Sequence, residues 1–184
     1  LAEEILEDAL DQGYFFADSD LREDADLAAL QDQEFYERLV ERNAAMLAQA
    51  QRNSKPFLQL IQPSVSRQRT KALFVMALHG NNSNLKRFEP EWNFIHQTEW
   101  LAALPQSSQL GGTGVYVWND QAIAVREVAA HYQAVVRRYE VDVAHSLISG
   151  FSMGGQTALR VALEQTFPIA AFLLICPWFE SIEP

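Results

Sequence analysis

Residues 144–164 read AHSLISGFSMGGQTALRVALE, and they constrain the fold more tightly than any other stretch of the chain. Ala144 to Ser149 is an apolar run of strand length, Gly150-Phe151-Ser152-Met153-Gly154 fits G-x-S-x-G, and Thr157 to Glu164 has helical composition without Gly or Pro. Strand, sharp turn, helix is the order this spacing predicts. A serine on so tight a turn takes a strained backbone conformation, and its neighbours two residues away must lack side chains for strand and helix to approach. Gly150 and Gly154 meet that need, with Gly155 adding room. The turn lifts the Ser152 hydroxyl above the carboxyl end of a sheet, where the amides opening the next helix face any developing negative charge. Ser152 is therefore the candidate nucleophile. A glycine-rich turn with an incidental serine is the plain alternative, and the flanking strand and helix weigh against it.

The remaining chain supplies a sheet for that turn. Ala72 to Leu78 is continuously apolar, as expected of a strand covered on both faces, and it ends in the polar loop His79-Gly80-Asn81-Asn82-Ser83-Asn84. Phe57 to Ile61 is strand-like, and residues 57–78 read as a hairpin leading into the central strand. Trp100 to Leu104 is a further buried strand, stopped by Pro105, with a polar loop from Gln106 to Gly114. Asn119 or Asp120 caps a helix running to about Tyr139, with Ala122, Val125, Val128, Ala129, Tyr132 and Val135 as its inner face. Val143 to Ser149 returns as a strand, Pro168 ends the helix after the turn, and Ala170 to Ile175 is the last strand. Strands alternating with helices predict an α/β fold with a mostly parallel sheet.

Residues 1–42 hold fourteen acidic side chains against Arg22, Arg38 and Arg42, while acids and bases nearly cancel over the rest. Ile5, Leu6, Ala9 and Leu10 sit at helical spacing, and a long helix is expected from about Gln33 to Arg52. The chain thus divides into an acidic helical segment, 1–53, and an α/β part, 54–184. This charge balance excludes a nucleic-acid partner, because phosphate binding needs clustered Lys and Arg. Cys176 is the single cysteine, which favours a reducing, cytoplasmic setting. No apolar run is long enough to span a bilayer, and no His/Asp/Glu cluster has metal-ligand spacing, so neither metal nor cofactor is expected.

Attack of a serine on an ester or thioester passes through an oxyanion that needs preorganised donors, usually two backbone amides. Those of Met153, just after the serine, and of Asn81, just after His79-Gly80, are the candidates. On the residues ALHGNN (77–82), LPQSSQ (104–109) and GFSMGG (150–155), the chain over roughly 56–180 resembles the α/β-hydrolase superfamily, in its carboxylesterase, phospholipase and dienelactone-hydrolase-like branch. The resemblance implies Ser152 as nucleophile, Asn81 and Met153 as backbone oxyanion donors, and a small-molecule ester or thioester as substrate. The N-terminal wording Ala9-Leu10-Asp11-Gln12-Gly13-Tyr14, then Leu21-Arg22-Glu23-Asp24, Asp26-Leu27 and Phe35, resembles the tail of a tetratricopeptide-repeat array, and implies a protein partner for that segment.

One departure is large. The superfamily order is serine, acid, histidine, yet no histidine follows Ser152. Glu164, Glu180 and Glu183 are poorly placed as the acid. His79 belongs to the oxyanion loop, His96 and His131 fall on predicted helices, and His145 starts the strand, at the edge opposite the turn. The expectation is a fragment lacking the triad acid and base, whose complete form is a serine esterase. A non-catalytic interaction scaffold, and a peptidase or acyltransferase on the same fold, remain as alternatives.

Overall fold

The central strand shows why the sheet is buried. In the computed structural model, which describes residues 2–64 and 70–179, strand β2 (Ala72–Leu78) lies in the middle of a five-stranded sheet and buries Leu73 to Leu78. Its side chains alternate, so Phe74, Met76 and Leu78 enter one apolar cluster while Val75 and Ala77 enter another. The first cluster is closed by helices α5 (Gln121–Val136) and α6 (Met153–Leu163), through Ala124, Val128, Tyr132, Val135, Ala158 and Val161. The second is closed by the short helix α4 (Leu85–Phe88) and the 3-10 helix Glu89–Gln97, through Leu85, Phe88 and Ile95. Helices on both faces are what a continuously apolar strand requires.

The strand order is β1-β3-β2-β6-β7, with β1 at Phe57–Ile61, β3 at Trp100–Gln106, β6 at Val141–Phe151 and β7 at Ala171–Ile175. The pairings β3 to β2, β2 to β6 and β6 to β7 are parallel. The fold is therefore mixed α/β with a mostly parallel sheet and flanking helices. The expected hairpin over 57–78 does not form. β1 skips β2 and pairs antiparallel with β3 at the sheet edge, Phe57 opposite Gln106 and Ile61 opposite Ala102. Pro105 does not stop β3 either, since it sits opposite Leu58 and beyond Trp100 to Ala103, the only stretch paired with β2. The expected loop after β3 contains a small ribbon, β4 (Leu110–Gly112) against β5 (Val115–Tyr116). Helix α5 is capped by Asp120, whose carboxylate accepts from the Ile123 amide at 3.0 Å, and its inner face carries Ala124 and Glu127 where Ala122 and Ala129 were expected. Most of the polar turn before β2, together with Glu180 and Glu183, falls outside the described residues.

Helices α1 (Ala2–Asp11), α2 (Asp18–Arg22) and α3 (Glu34–Asn53) gather around their own apolar cluster of Leu10, Leu21, Tyr36, Leu39 and Val40. Tyr36 completes it by donating its hydroxyl to the Leu21 carbonyl at 2.6 Å. This segment touches the α/β part through Gln51 at the end of α3, whose amide donates to the Ser108 carbonyl and accepts from the Leu110 amide. No helix among the described residues is long and apolar enough to cross a membrane.

Candidate active site

Ser152 stands between the end of β6 and the start of α6 with φ 52° and ψ −121°, a left-handed conformation that L-residues adopt only under constraint. The constraint is close packing of backbone on backbone. A Cβ on Gly150 would lie 2.2 Å from the Gly154 carbonyl oxygen, and one on Gly154 would lie 2.3 Å from the His79 carbonyl oxygen. Strand, helix and the end of β2 thus meet where only hydrogen atoms fit. Helix α6 begins at Met153, four residues before the helical composition becomes evident, because this packing holds Gly154 and Gly155 helical against their propensity. Serine at a helix N-cap usually bonds a first-turn amide, but the Ser152 side chain makes no such bond, which leaves its half-buried hydroxyl available.

The loop after β2 lies directly alongside. A Cβ on Gly80 would sit 3.5 Å from Cβ of Ser152 and 2.8 Å from the Phe151 ring. The His79 ring is fully buried, and its Nδ1–H donates to the Gly80 carbonyl at 2.7 Å. A trans peptide points its N–H opposite to its C=O, so a Gly80 carbonyl drawn back to the His79 ring turns the Asn81 amide away from that ring. The Asn81 side chain is committed elsewhere, donating to Asn119 Oδ1 at 2.6 Å and accepting from the Trp118 amide at 2.8 Å. Trp118, itself fully buried, donates Nε1–H to the His79 carbonyl at 2.8 Å. Met153, as the first residue of α6, has an amide without an intrahelical partner. Ser152, Met153 and the 79–81 loop therefore gather at one sheet edge.

The four histidines do not complete a triad. Burial pushes the His79 imidazole down to about 4, so it stays neutral at neutral pH, and its Nδ1–H is spent on Gly80. His96 is exposed and its Nδ1 bonds the Gln62 carbonyl, while His145 pairs with Asp142 at 2.9 Å near the start of β6. His131 lies on α5, where burial lowers its pKa. Among the described residues, no group of three or more His, Cys, Asp or Glu side chains is placed to hold a metal ion.

Two supporting residues escaped the sequence reading. Glu127 is a nearly buried carboxylate that accepts from the Ser108 amide at 3.1 Å and from the hydroxyls of Ser107 and Ser108, fixing the loop after β3. A lone acid in the apolar stripe of α5, opposite a Ser-Ser pair, was its signal. Trp118 gave none, because its partner His79 is 39 positions away.

No protein-family profile matches the sequence, and no curated protein does. Solved structures share the fold at low identity. An uncharacterized protein from Bacillus cereus ATCC 10987 aligns at 24% identity and TM-score 0.56, over 93% of this chain and 53% of its own. The Bacillus cereus carboxylesterase aligns at 16% identity and TM-score 0.52, over 74% of this chain and 67% of its own. A dienelactone-hydrolase-like promiscuous phosphotriesterase from metagenomic libraries aligns at 14% identity and TM-score 0.54, over 72% and 58%. The fold is α/β-hydrolase-like, and the chain spans about half the length of the uncharacterized Bacillus cereus protein.

Proposed function

We propose that the protein is a serine hydrolase of carboxylic esters or thioesters, acting through an acyl-enzyme formed on Ser152. The observation that carries this proposal is the backbone of Ser152, held at φ 52° where strand and helix pack glycine against glycine, with its half-buried hydroxyl free of a cap bond. In the reaction, Oγ attacks the acyl carbon and its proton passes to a base. The carbonyl oxygen becomes an oxyanion, which the amides of Asn81 and Met153 receive as hydrogen-bond donors. The bond to the leaving oxygen or sulfur then breaks, the base returns the proton to that atom, and water releases the acid by the same route. The base is supplied by residues other than His79, His96, His131 and His145.

The test is labelling of the full-length protein with a fluorophosphonate probe, which phosphonylates activated serines. Labelling that maps to Ser152 and disappears in Ser152→Ala is the expected result. Equal labelling of both proteins removes Ser152 from the mechanism, and no labelling of either favours a binding scaffold on the same fold.

A further inference from the structure

The segment Tyr14-Phe15-Phe16, between α1 and α2, is fixed through its backbone on both sides. On one side the fully buried Asn43 accepts from the Phe16 amide at 2.8 Å and donates to the Phe16 carbonyl at 3.0 Å. On the other, Thr113 Oγ1 accepts from the Phe15 amide at 2.6 Å, the Thr113 amide donates to the Phe15 carbonyl at 2.9 Å, and Phe16 bridges Gly112 in antiparallel register. With its peptide groups satisfied this way, the segment presents its aromatic side chains in set positions instead of as a loose linker.

Tyr14, Phe15 and Phe16 line a cleft of about 320 Å³ together with Asp20, Asn82, Arg87 and the turn of the β4–β5 ribbon. The size suits one end of a small molecule. Two features define its chemistry. Asp20 and Arg87 both line it and both are exposed, yet among the described residues neither forms an ion pair with the other or with a third group. Opposite charges that line one cleft without pairing leave both available, and a ligand carrying both charges answers both. Aromatic rings and a carboxylate lining one cleft favour an ammonium, whereas a guanidinium and a side-chain amide favour a carboxylate or phosphate. The cleft is joined to the candidate site through the chain, since Asn82 follows Asn81, and Asn82 Oδ1 lies 2.6 Å from where a Gly111 Cβ would stand.

We infer that this cleft binds a zwitterionic group, its ammonium beside Asp20 and the aromatic rings and its oxyanion on Arg87 and Asn82. Its use as the leaving-group subsite of an ester rests on the proposed hydrolase activity, while the binding itself does not. Calorimetric titration of the protein with glycine betaine and with phosphocholine tests it, one arm presenting a carboxylate and the other a phosphate. At least one should bind with Kd of ~1 mM or tighter, and the winning arm names the oxyanion. Choline or inorganic phosphate alone should bind at least about tenfold more weakly, and Arg87→Gln and Asp20→Asn should each weaken the zwitterion by about tenfold. Both substitutions are at exposed positions, and circular dichroism verifies the fold. Failure of both zwitterions to bind, equal binding of choline or phosphate alone, or binding that survives both substitutions would overturn the inference. Zwitterion binding without fluorophosphonate labelling leaves the cleft standing and removes the hydrolase; labelling without zwitterion binding does the reverse.

Discussion

Strands β2 and β7 have nearly the same composition, ALFVMAL and AFLLI, and opposite surroundings. β2 is covered on both faces and flanked on both sides, so that Phe74, Met76, Ala77 and Leu78 are wholly inaccessible. β7 has β6 along one side and, among the described residues, no strand along the other, leaving Phe172, Leu173 and Ile175 42% to 54% exposed. Only Leu174 packs toward the main cluster. Apolar composition therefore identifies a strand but not its coverage, which depends on elements distant in sequence. Substitutions around the carboxyl end of β2 should be felt in activity or in global stability, and those on β7 mainly in association.

The largest effect is expected at the loop that follows β2. Asn81→Pro deletes the candidate amide donor and should lower kcat/KM by about 10²–10³-fold. Asn81→Ala keeps the amide and loses only the contacts to Trp118 and Asn119, so it should be milder. Equal losses in folded proteins would show that the amide contributes nothing. Next comes Gly154→Ala, whose Cβ meets the Leu78 and His79 carbonyl oxygens at 2.8 and 2.3 Å; a urea melt should show about 3 kcal/mol of destabilisation.

A smaller effect, graded with pH, belongs to His79. Its folded pKa of about 4 lies below the ordinary 6.5, so between those values the unfolded chain binds a proton that the folded chain does not. Stability should fall as pH drops through that window, by at most about 3 kcal/mol, and His131 acts in the same direction. His79→Asn, which keeps an N–H donor, should flatten the slope between pH 7 and 4; an unchanged slope would assign the effect to other groups. Smallest in stability is Leu173→Lys, expected within about 0.5 kcal/mol of the parent yet lowering self-association in sedimentation velocity. Destabilisation as severe as that of Gly154→Ala would mean that the β7 face is covered in solution, and the contrast between the two strands would vanish.

The turn at Ser152 was legible because its requirement is steric and local: glycines two residues either side of a serine mark a place where backbones touch. β2 was legible for a related reason, since seven consecutive apolar residues have no solvent-facing side. The partner of β1 was not, because the pattern from Phe57 to Ile61 suits either neighbour and the short connection made β2 the economical choice. Asn81 follows the apolar strand β2 directly, so its place in the loop after that strand was legible, but not that its side chain ties that loop to residues 118 and 119. The charged cleft was equally hidden, since Asp20 and Arg87 come to line one cleft only where the N-terminal segment docks on Thr113.

The peptide groups of Ser152 lead back to the less covered strand. Its amide donates to the Ile175 carbonyl at 3.0 Å, and its carbonyl accepts from the Trp178 amide at 3.1 Å. The strained turn is thus stitched to the end of β7, which among the described residues has a strand along one side only. Protection of the Ser152 amide against hydrogen exchange is accordingly limited by how often β7 lets go, however deeply β2 and β6 are buried. A ligand or chain that steadies that outer strand would slow exchange at the serine without touching it.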